Sequence, residues 1–62
     1  MELLIDTSRK KISFKGTVAE LIKRQRMMRE EVLVKVNGRL VPDTRELRTN
    51  DKVEIIKVVF GG

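Results

Sequence analysis

The sequence predicts an α+β domain, a mixed sheet of about five strands with one helix packed on one face. Three observations predict it. Several short runs carry apolar residues at the two-residue period of strands, and one run carries them at the helical period. Glycine, asparagine and aspartate punctuate the links between those runs. The apolar content of 40% runs through the whole chain rather than one block, as a packed core requires.

Glu2-Leu3-Leu4-Ile5-Asp6 reads as a first strand, with Leu3 and Ile5 on one face and Leu4 on the other. Asp6-Thr7-Ser8-Arg9 is a polar turn. Lys11-Ile12-Ser13-Phe14-Lys15 alternates strictly, which predicts a half-buried second strand with Ile12 and Phe14 inward. The short link makes these two an antiparallel hairpin.

Gly16 ends that strand. Thr17-Val18-Ala19-Glu20 is a capping box, in which the hydroxyl and the carboxylate each satisfy a free amide of the first helical turn. The helix is predicted from Val18 to about Met28, with Val18, Leu21, Ile22, Gln25 and Met28 on one face. Lys23, Arg24 and Arg26 suit the negative end of its dipole.

Val32-Leu33-Val34-Lys35-Val36 is a third strand, and Asn37-Gly38 a tight hairpin turn, since both residues tolerate positive φ. Arg39-Leu40-Val41 is a short fourth strand stopped by Pro42. Asp43 to Leu47 is expected to make a helical turn, and Asn50-Asp51 a further turn with Asn50 left-handed. The last strand starts at Lys52. It is expected to pair in parallel with the first at the centre of the sheet, because both carry apolar residues on both faces.

The 62 residues make one domain, spanning 1–62 with a flexible C-terminal tail at 60–62. The chain has no cysteine and no histidine, which excludes disulfides, thiolate metal sites, cysteine nucleophiles and Ser-His or Cys-His dyads. Carboxylate pairs such as Asp43 and Glu46 have no partner that suggests acid–base work. Met1 leads straight into an acidic residue, unlike a secretory signal, and no apolar run approaches a membrane span of about 18 residues. A cytoplasmic protein is expected. Fourteen Lys and Arg against nine Asp and Glu give a net charge of +5, which favours an anionic partner.

The run Val53 to Phe60 ends in Gly61-Gly62, and the Gly62 α-carboxylate is expected to be the unusual functional group of the chain. Three stretches carry a resemblance. They are Val36-Asn37-Gly38-Arg39-Leu40-Val41-Pro42, the run from Leu47 to Ile56, and the tail Val58-Val59-Phe60-Gly61-Gly62. Together with the β-β-α-β-β-β order, they resemble the ThiS/MoaD group of ubiquitin-like sulfur carriers, which have the β-grasp fold. Asn50 stands where relatives often carry glycine, and Phe60 is larger than usual before the glycines.

The resemblance implies that the carrier is not itself an enzyme and binds no cofactor. A ubiquitin-activating-type partner would adenylate Gly62 with ATP and magnesium. A persulfide sulfur donor would convert the adenylate to a thiocarboxylate. A thiazole or molybdopterin synthase would take the sulfur, for thiamine or molybdopterin. Phe60 and Gly61 form the tail. Glycine lacks Cβ and so threads a narrow channel at any φ the enzyme requires. Three extended residues beyond Val59 reach only about 10 Å, so the body must dock at the enzyme's rim. Alternation places Leu4, Leu33, Ile56 and Val58 together on the open face of the sheet as the docking surface. Two other functions share these features. One is a protein modifier conjugated through Gly62 to target lysines. The other is an RNA-binding β-grasp module, disfavoured because Phe14 and Phe60 alone supply no stacking platform.

Overall fold

The computed structural model describes residues 1–58. Strand β1 (Glu2–Ile5) turns through Asp6-Thr7 into β2 (Ser8–Lys11). A two-residue strand β3 (Gly16–Thr17) leads directly into helix α1 (Val18–Arg24). A 3₁₀ turn at Arg29–Glu31 precedes β4 (Val32–Val36), which is followed by β5 (Arg39–Leu40), β6 (Glu46–Leu47) and β7 (Lys52–Lys57). The main sheet has the order β2-β1-β7-β4-β5, with β7 central and parallel to β1, and the other neighbours antiparallel. With α1 across one face, this is the β-grasp arrangement.

The helix starts as the capping box dictates. Thr17 Oγ1 accepts from the Glu20 amide at 3.3 Å, and Glu20 Oε1 accepts from the Thr17 amide at 2.9 Å. It ends earlier than its apolar spacing suggests. Arg26 adopts φ 58°, its amide donating to Lys23 and that of Met27 to Ile22, so the chain reverses in a Schellman closure. Met28, expected on the buried face, is therefore outside the helix and 59% exposed.

Leu3, Val18, Leu21, Ile22, Val34, Val36, Leu47, Val53 and Ile55 form the core between sheet and helix. Leu3, Leu21 and Val53 are wholly buried, and burying each such side chain contributes about 2 kcal/mol. Every core residue of β4 and β7 lies at the two-residue spacing read from the sequence.

Three local expectations are corrected. The second strand is Ser8–Lys11 rather than Lys11–Lys15, because Asp6 at φ 56° closes the hairpin at once and brings Ser8 opposite Ile5. Ile12 and Phe14 still pack against the core, but from an irregular segment. The stretch after Pro42 is a turn followed by β6, which pairs with β3, not a helical turn. Asn50 is not left-handed; among the described residues other than glycine, positive φ falls on Asp6, Arg26 and Asn37. No helix among the described residues is long and apolar enough to cross a membrane.

Candidate functional site

The tail begins where β7 ends, so the candidate site is what surrounds that point. Residues 59–62, including Phe60, Gly61 and the expected attachment point Gly62, lie outside the described residues. Its root is held by Val58, whose amide donates to the Glu31 carbonyl at 2.8 Å. Lys57 beside it meets Asp6 at 3.5 Å.

On the open face, the strand register sets out the side chains in rows. Nearest the root, Leu33 of β4 lies opposite Ile56 of β7. The next row runs Arg9, Leu4, Glu54, Lys35, Leu40 across all five strands. Beyond it come Lys11, Glu2 and Lys52, with Arg9 Nε bonded to Glu2 Oε1 at 3.0 Å. Leu33 and Leu40 are exposed, at 48% and 61%, and share one shallow groove at the β4–β5 edge. The corner nearest Val58 is thus apolar, and the rest of the face is mostly charged, with Leu4 among Arg9, Glu54 and Lys35.

The structure brings Leu4, Leu33 and Ile56 to this face. Val58 is separate: it lies past the end of β7 and lines a groove with Met27, Met28 and Val32, at the helix end. Leu40 is a member of the apolar corner that the sequence reading left out. Counting across the two-residue Asn37-Gly38 turn, which pairs Lys35 with Leu40, would have found it.

A second feature fixes the far end of β7. Asp51 is buried, and Oδ2 accepts from the Arg48 amide at 2.8 Å and from Arg45 at 3.1 Å, while Oδ1 accepts from Asn37 Nδ2 at 3.0 Å. Burial raises the pKa of this carboxyl. The Arg48 amide, Asn37 and Arg45 together outweigh burial and hold it below the usual carboxylate range. This is a structural cluster; no group of three or more metal-ligating side chains assembles among the described residues.

The described residues therefore offer a sheet face with an apolar corner beside Val58, and charged side chains such as Lys35, Lys52 and Glu54 line a shallow pocket further along it. The comparisons agree with this geometry. The crystal structure of the thiamine biosynthesis protein (ThiS) from Geobacter metallireducens superimposes with a TM-score of 0.67, covering 100% of each chain at 23% identity. No curated protein matches the chain. The model of the ThiS family matches residues 4–62, nearly its whole length. The chain belongs to the ThiS family, within the ThiS/MoaD group of ubiquitin-like sulfur carriers.

Proposed function

We propose that this chain carries sulfur for thiamine biosynthesis on the carboxyl group of Gly62. A ubiquitin-activating-type enzyme adenylates that carboxylate with ATP and magnesium, because a free carboxylate is a poor electrophile and the adenylate supplies a leaving group. The terminal sulfur of a persulfide donor then displaces AMP to give an acyl disulfide. A second thiol of the partner attacks the donor sulfur and breaks the S–S bond, forming a disulfide on the partner. The released thiocarboxylate is consumed by a thiazole synthase. The carrier is a co-substrate in the cytoplasm, not an enzyme, and ATP and magnesium belong to its partner.

The observation that carries the reading is the family match, which runs through the glycine pair to residue 62. The apolar corner of Leu33, Ile56 and Leu40 supports it, because it lies beside the root of the tail, where the enzyme's rim must close. Exposed apolar side chains grouped in this way suit docking better than scattered surface positions do.

The test is to incubate the chain with the cognate activating enzyme, ATP, magnesium and a persulfide donor, and to weigh the product. Exchange of one oxygen for sulfur is expected, and its loss in a variant lacking Gly62. Heavier adducts on target lysines would instead favour a protein modifier. Acceptance of the sulfur by a molybdopterin synthase and not a thiazole synthase would move the chain to that pathway.

A further inference from the structure

The groove at the end of the helix has no part in that account. It holds about 680 Å³ and is floored by Met27, Val32 and Val58. Met28 stands at its mouth, 59% exposed, and Arg26, Gln25, Glu31 and Lys57 line its sides. Lys57 is paired with Asp6, which leaves Arg26 as the cation turned to the groove without an ion-pair partner among the described residues.

Arg26 is also the strained residue of this region. It occupies the left-handed position of the Schellman closure, where glycine fits without a Cβ penalty. Residues held in such conformations gather at binding sites. Val58, the last described residue before the tail, lines this groove. Four residues, 59–62, span at most about 14 Å when extended, so an enzyme that grips Gly62 must overhang the surface around Val58. That surface has two sides: the Leu33–Ile56 corner on one, this groove on the other.

We propose that the groove is a second docking site for the adenylating enzyme, taking an apolar side chain of its rim between Met27 and Met28, with an acidic residue of that rim on Arg26. The proposal rests on the adenylation reading above. The enzyme therefore straddles the end of β7, and Arg26 acts as a positioning residue that aligns the body while the tail is inserted.

The experiment measures pyrophosphate exchange by the cognate activating enzyme as a function of carrier concentration, for the wild type, Arg26→Gly and Met28→Asp. Arg26→Gly is expected to raise the melting temperature by a few degrees, by relieving strain, and yet to raise KM about tenfold with kcat little changed. Met28→Asp is expected to raise KM similarly without loss of fold. A photo-crosslinking amino acid in place of Met28 should join the carrier to the enzyme. Unchanged KM in both variants, or crosslinks only within the carrier or between two carriers, would overturn the proposal. Absence of adenylation in the wild type itself would overturn the functional reading along with it.

Discussion

Asn37 and Asp51, fourteen residues apart, lock the β4–β5 turn to the start of the central strand: Asn37 Nδ2 donates to Asp51 Oδ1 at 3.0 Å, and Asn37 Oδ1 accepts from the next amide, Lys52, at 3.0 Å. The Asn37 amide completes the link, donating to the Lys52 carbonyl at 2.8 Å. Two turns are thereby held together at the start of β7.

Asp51→Ala is expected to destabilise the fold by about 2 kcal/mol, because it removes the buried carboxylate that accepts from the Asn37 carboxamide, the Arg48 amide and Arg45. Urea unfolding at neutral pH checks this. The pH dependence has a definite sign. The folded carboxyl titrates below its ordinary value of 3.8, so its contribution is complete above that pH and is lost as the pH falls through the folded value. The stability gap between the wild type and Asp51→Asn should therefore narrow in acid.

Thr17→Ala is expected to cost about 1 kcal/mol through loss of the helix cap. The Thr17 amide and then the Thr17 hydroxyl hold the Glu20 carboxyl below its ordinary value of 4.5, and the substitution removes the hydroxyl alone, so the carboxyl should rise only part of the way back. NMR titration of the Glu20 side chain measures the shift directly. As with Asp51, the stabilisation linked to Glu20 is present above the ordinary value and disappears as acid protonates the folded form.

Two glycines with positive φ should respond differently to alanine. At Gly16, φ 152°, an added Cβ would lie 3.0 Å from Glu20 Oε1 and 3.2 Å from the Phe14 ring. At Gly38, φ 86°, nothing lies within 4 Å. Gly38→Ala is expected to cost about 1 kcal/mol of backbone strain alone. Gly16→Ala should cost about 2 kcal/mol or more, because strain and crowding add. Thermal melts of the two variants separate these cases.

Stability and docking should divide between the two faces of the sheet. Leu21→Ala, in the core, is expected to lose about 3 kcal/mol, a large share of what a small domain holds. Leu33→Asp combined with Leu40→Asp should change stability by no more than about 0.5 kcal/mol per site. The double variant should nonetheless slow adenylation at least about tenfold, as loss of an apolar anchor does. A folded double variant adenylated at the normal rate would remove this corner from the docking surface.

What the sequence determined by itself was whatever local chemistry encodes. Alternation in Val32–Val36 and in Lys52–Lys57 set which side chains are buried, because a strand's period allows only two choices of face. Asn37-Gly38 set its turn, because few residues accept positive φ. Thr17 and Glu20 set the start of the helix, because a reciprocal cap needs only those two side chains. The glycine pair and the Val36–Pro42 hairpin marked the family.

Tertiary structure decided what depends on competition between distant segments. Ile12 and Phe14 alternate like a strand, yet the immediate turn at Asp6-Thr7 gave the pairing to Ser8–Lys11 instead. The apolar spacing at Gln25 and Met28 continues a helix, but a left-handed Arg26 stopped it and opened the groove beside Val58. The pairing of Gly16–Thr17 with Glu46–Leu47, and the burial of Asp51 among Asn37, Arg45 and Arg48, join residues far apart in the chain. No local period records such contacts, since the packed sheet and helix alone bring those residues within hydrogen-bonding distance.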